Sequence, residues 1–540
     1  MSGPATPSPL AGVGSLLALA ARRRWKIALA WMVPMWALVG IMPGSYQDFY
    51  PALADRSVMM DQMRHSPGSR VLYGAIPEPG TIGQLTQWEA GTYIMWCTAI
   101  MALLAATALS RGDEQSGLVE LARGSGAGRW APPVAALAWV WGAVALLAAG
   151  VGGVLVCQRA QVAELTSSGA LAMAGVIWAV GWFFAGVGLL CAQLFGEVGA
   201  ARTAGFAVFG AAWLLRVVAD EGETPWLRWL TPFGWRDLVG PYSGDHLEAV
   251  AVAVAAGCTL VAVAFALDAR RELLAGCLPS RARTPRRLRV RGFFTLTQRL
   301  RRGHTLAWTV VAASTSAVFA LMSSQLDAIL HDSEGTVAWV RQMAGEGDTV
   351  VQFLTLMTLV SVLLVSIAAV SRVMALAGAE RRGLTEVVLS AGLSRNSVFV
   401  STVLDAGVLA AWLLVVSGGA LSLVTSTQLS DQHAAGRALA FTVTQGVGVA
   451  AAIAVAAALL GLSPRLTSLV WGALAWSMFA RTFGAFVDLP QWARDVSFLG
   501  HVHDPWGEVS ATPMLVQAAL ALGCVVVGWW AYRCRDVPRA

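Results

Sequence analysis

The 540-residue chain contains a single lysine, Lys26, and that decides one chemistry at once. A nucleotide-binding P-loop needs Gly-x4-Gly-Lys followed by Ser or Thr, with the lysine reaching the phosphates. Lys26 is followed by Ile27, so the chain has no ATP site of this kind. Histidines stand scattered at 65, 246, 304, 331, 433, 501 and 503. His501 and His503 straddle Val502, but two ligands in a polar loop do not make a metal site, and none is assigned. Seven cysteines show no C-x-x-C spacing and read as soft core residues. No Ser/His/Asp set can be assembled, so no catalytic residue is assigned. What remains is a polar phrase stated twice. It reads Glu114-x-x-Gly117-Leu118-x-Glu120 with Arg129 following, and Glu380-x-x-Gly383-Leu384-x-Glu386 with Arg395 following, 266 residues on.

The elements around these residues are apolar. The chain is 56% hydrophobic and 13% charged, with a mean hydropathy of +0.62. Soluble domains carry about a quarter charged residues. Apolar runs of about 20 residues recur, enough to cross a hydrocarbon core of about 30 Å. Backbone groups in lipid must bond internally, so the spans are expected to be helices, and the alternation of a membrane barrel is missing. Twelve spans are predicted. Six lie at about 25–42, 91–110, 131–157, 168–195, 203–218 and 248–267. Six more lie at about 305–324, 351–371, 397–421, 437–461, 466–483 and 513–532.

Charge orients them. The N-terminus, 111–130, 196–202, 268–304, 372–396, 462–465 and the C-terminal tail, with Asp405, hold 27 of the 38 Lys+Arg but 10 of the 32 Asp+Glu. Such an excess marks cytoplasmic loops, so both termini and both copies of the phrase are expected inside. The basic balance is then a topology signal; the arginines flank spans without a nucleic-acid-binding fold, and no nucleic-acid partner is expected. Arg22-Arg23-Arg24 before an apolar run resembles a secretion signal, but no small-residue cleavage site follows, so the first span is read as uncleaved.

The repeat extends beyond the phrase. Ala192-Gln193-Leu194-Phe195-Gly196 matches Ala457-Ala458-Leu459-Leu460-Gly461; Arg216 matches Arg481, Pro225 matches Pro490 and Phe233 matches Phe498, all at an offset of 265. Six spans per copy give both halves one orientation, a parallel repeat about an axis along the membrane normal. The expected organisation is a first half over 1–267, a basic cytoplasmic linker over 268–304 with eleven arginines, and a second half over 305–540. Each half opens on an amphipathic stretch suited to the inner interface, residues 8–21 with Leu10, Val13, Leu16 and Leu17, and Phe293, Phe294, Leu296 and Leu300 among arginines. Aromatic segments precede each half's last span, within 219–247 and 484–512, and either dip into the outer leaflet or lie along it.

Read as a helix, Glu114, Gly117, Leu118 and Leu121 share one face, as do Glu380, Gly383, Leu384 and Val387. A glycine there lets another backbone approach, and Arg129 and Arg395 stand where the next span begins. A short amphipathic rod repeated at one membrane face suits docking of a soluble partner.

The phrase and its copy resemble the coupling-helix region of type-2 ABC exporter permeases, most closely the fused twelve-span actinobacterial kind associated with polyketide-antibiotic (tetronasin-like) export. The resemblance covers nearly the whole chain: six spans, a coupling loop between the second and third (111–130 and 372–396), and an aromatic segment before the sixth, all twice. It implies the membrane subunit of an ATP-driven exporter of hydrophobic or amphiphilic compounds in the plasma membrane. A separate nucleotide-binding ATPase would bind beneath each half and hold ATP and Mg, with no cofactor in this chain. The ATPase-coupling residues would be Glu114, Gly117, Leu118, Glu120, Arg129, Glu380, Gly383, Leu384, Glu386 and Arg395. The resemblance also turns the second and fifth spans of each half towards the pseudo-twofold axis. That would line the substrate pathway with Tyr93, Trp96, Phe206, Phe209, Trp213, Phe353, Met357, Trp471 and Trp476, residues that equally suit helix packing or contact with lipid. Two alternatives stay open: a proton-driven transporter of the major-facilitator kind, whose loop signature residues 110–117 do not match, and a membrane enzyme acting on lipid-linked substrates.

Overall fold

The computed structural model describes residues 8–64, 67–222, 224–278, 292–332, 349–428, 434–483, 490–499 and 511–535; over 320–332 and 349–357 only the backbone is described. Every regular element among them is helical. Among the described residues, ten helices are long and apolar enough to cross a membrane. The two other predicted spans fall on Arg302–Asp332, whose outer turns lie among the backbone-only residues, and on Leu469–Phe483. The latter has 15 residues where the described chain stops, about 22 Å of helix against a core of about 30 Å.

The chain divides into two compact units, one essentially residues 1–284 and the other 285–540. In the first, the second span (Ile82–Thr107) and the fourth (Ser167–Leu194) are the most enclosed, and the fifth (Val198–Glu221) and sixth (Leu247–Arg270) the most open. Small residues make the packing close, as expected where lipid removes the hydrophobic drive between helices. In the second unit, a Cβ on Gly461 would stand 2.1 Å from the Gly528 carbonyl oxygen, so the helices Gly446–Leu462 and Ala511–Cys534 meet backbone to backbone.

Three boundaries differ from the sequence reading. The stretch 8–21 is not a separate helix: Gly12, at φ 86°, starts one helix from Val13 to Phe49. After Gly14 in the first turn, no glycine or proline lies before the predicted first span, and arginine is a good helix former, so the hydrogen-bonding continues through Arg22–Arg24. The second span starts at Ile82 rather than 91, because Thr81 and Gln84 form a capping box. Residues 43–90 are correspondingly less loop than expected; they hold helices Leu53–Arg64 and Pro67–Tyr73. The second amphipathic stretch, in contrast, is a distinct helix, Phe293–Leu300.

Candidate functional site

Both copies of the polar phrase adopt one construction. The second span of the first unit passes through a π-helical turn at Ala108–Gly112 and ends at Asp113–Gln115. Gly117 then takes φ 77°, ψ 0°, and a seven-residue helix, Leu118–Gly124, follows. In the second unit Thr349–Arg381 ends likewise, Gly383 takes φ 69°, ψ 2°, and Leu384–Ser390 follows. L side chains avoid this left-handed region, which fixes the glycine. Close approach does not: a Cβ on Gly117 would meet nothing within 4 Å.

The break at the glycine separates residues expected on one face. Glu114 and Glu380 belong to the helix before it and point inward, 3% and 2% exposed. Glu114 accepts two parallel bonds from Arg271, at 2.7 and 2.8 Å, and one from the Leu274 amide at 2.5 Å; Arg111 stands 3.2 Å away. Arg271 directly follows the sixth span and is also tied to Asp268 and Gln193. In the second unit Glu380 meets Arg535 at 2.6 Å, just past the last span, with the Tyr532 hydroxyl of that span beside it. Each glutamate therefore fastens the C-terminal end of its unit's second span to the end of its last.

The neighbouring residues repeat this. Arg129 donates to the Ala269 carbonyl at 2.5 Å and Arg395 to the Arg535 carbonyl at 2.8 Å; donors and acceptors are both 266 residues apart. Both arginines thus cap the last span, satisfying carbonyls that a helix end leaves open. Gln115 bonds the Gly196 carbonyl at 3.1 Å, and Arg381, its counterpart, the Pro464 carbonyl at 3.2 Å. The fourth-to-fifth-span connection is held in both units. Sequence reasoning missed Arg271 and Arg535; the paired arginines closing the final apolar run of each half, Arg270-Arg271 and Arg533-x-Arg535, were the available signal.

On the short helices, Leu118, Gly117 and Gly383 are half-buried and Glu120 and Glu386 exposed. Leu121, Leu384 and Val387 stand out at 72%, 52% and 65% exposure. Each unit thus presents, by itself, large aliphatic side chains next to a glutamate that a partner could cover.

Of the expected pathway residues, Tyr93, Trp96, Trp213 and Phe209 are brought together. Tyr93 meets Trp96 with ring centroids 5.9 Å apart, Trp96 meets Trp213 at 4.5 Å, and Phe233 joins Trp213 to Phe209 at 5.8 and 5.1 Å. Phe206 and Trp471 are exposed instead, and Trp476 donates to the Ala493 carbonyl at 3.2 Å. Phe353 and Met357 lie outside the described side chains. Elsewhere, Asp405 is buried between Arg372 and Arg301, at 3.3 and 3.2 Å. Arg216 pairs with Asp220 at 2.7 Å and also bonds carbonyls of Arg70, Val71 and Leu72, fixing the outer helix Pro67–Tyr73. His501 and His503 fall outside the described residues, and among those described no three His, Cys, Asp or Glu side chains gather as metal ligands.

Residues 290–533 match the family model described as Multidrug efflux system permease Rv1217c, C-terminal domain. The chain is also 28% identical, over 528 residues, to the Multidrug efflux system permease protein Rv1217c of Mycobacterium tuberculosis, covering 95% of this chain and 93% of that one. The chain is thus similar along nearly its whole length to an efflux permease, and with ten apolar helices among the described residues it is a multi-pass protein of the cell membrane.

Proposed function

We propose that the chain is the membrane subunit of an ATP-driven exporter, moved by two copies of a separate ATPase. The observation that carries this reading is the duplicated inner-face construction: a short helix with exposed Leu121, or Leu384 and Val387, clamped through a buried glutamate to its unit's last span. The short helices are the handles and the glutamate–arginine pairs pass their displacement to the spans. ATP and Mg bind in the partner, since a chain with one lysine outside any Gly-rich loop has no P-loop. Twelve spans in two parallel halves, 1–267 and 305–540 joined by 268–304, with both termini cytoplasmic, complete the arrangement. The cargo is a hydrophobic or amphiphilic compound, in keeping with the aromatic lining of the second and fifth spans and with the efflux relative. Alternate opening of the spans to each side follows ATP-driven closure of the partner pair.

Co-expression with a candidate P-loop ATPase of the same organism tests this. A stable complex whose ATPase activity depends on this chain is expected. A chain that purifies alone and transports on a proton gradient without ATP rejects the proposal in favour of the gradient-driven alternative.

A further inference from the structure

Carboxylates buried or half-buried in the described spans have basic partners, with one exception. Glu114 and Asp268 meet Arg271, Asp113 meets Arg23, Asp220 meets Arg216, Glu380 meets Arg535 and Asp405 meets Arg372. Glu89, eight residues into the helix that opens at Ile82, has no basic side chain at salt-bridge distance; its bond is to the Tyr46 hydroxyl, at 2.5 Å. An ionisable residue at such depth is costly and ordinarily marks a ligand or ion path.

Its surroundings are aromatic. Tyr93 and Trp96 follow at i+4 and i+7, on the same helix face. Tyr46 comes from the first span and Trp213 from the fifth, its ring 4.5 Å from Trp96. Tyr73, on the outer helix, sits 5.8 Å ring to ring from Tyr93, and their hydroxyls are 2.8 Å apart. Aromatic faces attract cations, the more so away from water, and a carboxylate with no arginine supplies the countercharge. The second half does not repeat this chemistry. At the offset of 266 stand Thr355, Leu359 and Val362, and the last two are buried apolar residues.

We infer that Glu89 with Tyr46, Tyr73, Tyr93, Trp96 and Trp213 forms a binding site for a lipophilic organic cation, one per chain and in the first half only. This rests on the efflux reading and names the charge class of its cargo. Arginine, had it stood within reach of Glu89 as it does for the other carboxylates, would have filled the place of the cation. The site's half-exposed carboxylate offers a cation its charge, and the rings offer the flanking apolar groups their faces.

Binding of tetraphenylphosphonium to the purified full chain in lipid nanodiscs tests this without any ATPase, with N-phenyl-1-naphthylamine as a neutral apolar probe. Glu89→Gln is expected to weaken tetraphenylphosphonium binding at least about tenfold, Glu89→Asp less, and neither to move the neutral probe more than about twofold. Unchanged cation affinity in a folded Glu89→Gln chain overturns the inference. Should that variant not fold, the native chain decides: no preference for the cation over the neutral probe overturns it equally. Failure of the efflux reading shows separately, as loss of ATP-dependent transport of any compound.

Discussion

Replacing Arg535 by alanine strikes one of the two buried pairs where it has no reserve. Glu380 is 2% exposed, and Arg535 is its only basic partner among the described residues. Removing one member of a buried ion pair costs about 3–5 kcal/mol, because the other charge stays buried and alone. Arg535 is 14% exposed at its side chain, so water can reach the vacated place and the lower end, about 3 kcal/mol, is expected. Arg271→Ala in the first unit is milder. Glu114 keeps the Leu274 amide at 2.5 Å and Arg111 at 3.2 Å, two of its four contacts. A loss of about 1–1.5 kcal/mol, the scale of a single hydrogen bond, is expected there. Amide hydrogen exchange reads the difference locally, since exchange follows the population of the opened state. Residues 384–390 should exchange about a hundredfold faster in Arg535→Ala, and residues 118–124 about tenfold faster in Arg271→Ala. Equal acceleration in the two units, or none in either, refutes the view that these glutamates hold the short helices to the last spans.

Gly117→Ala should cost about 1–2 kcal/mol of local stability through its left-handed conformation alone, because no atom stands within 4 Å of the new Cβ. Gly117→Asn, which tolerates φ 77°, should recover most of that loss in the same exchange measurement. Charging the outward faces with Leu121→Asp and Val387→Asp together should abolish capture of the ATPase on co-purification while leaving exchange within each unit unchanged. Capture at the native level would remove these faces from the docking role.

Much of the fold was legible because lipid leaves a chain few choices. Nearly every predicted span corresponds to an apolar helix, since a run that long and that apolar has one stable form in a bilayer. Continuity was less legible. The sequence around Arg22–Arg24 invites a break that the helix Val13–Phe49 does not make, because charged residues need water yet not a turn. The Thr81-x-x-Gln84 capping box did announce the true start of the second span, nine residues before the apolar run that defined it. At the candidate site, spacing identified the phrase but misassigned its faces. Helical spacing groups Glu114 with Leu118 only if the helix is unbroken, and Gly117 breaks it. The partners Arg271 and Arg535 lie more than 150 residues from their glutamates, a separation that no local pattern spans.

The inward turn of the two glutamates alters what the repeated phrase must do. An exposed glutamate on a docking rod contributes little, since a surface ion pair is worth at most about 1 kcal/mol and is screened by salt. Enclosed against an arginine, the same glutamate acts as a joint. A displacement that the short helix Leu118–Gly124 passes back through Gly117 to Asp113–Gln115 must carry Arg271 with it or break a bidentate bond, so it reaches the sixth span as well as the second. Arg129 and Arg395 tie the start of the third span in each unit to that same end. Three helices of each unit thus meet at one point, and a push there moves them together. The joints are nonetheless unequal: two arginines and a backbone amide hold Glu114, while Glu380 has one arginine and the Tyr532 hydroxyl beside it. Two identical motors pushing on the two short helices would find the first stiff and the second compliant. Glu89 belongs to the stiff unit, so under the proposed cation site the unit that would grip the cargo is the one whose short helix would yield least.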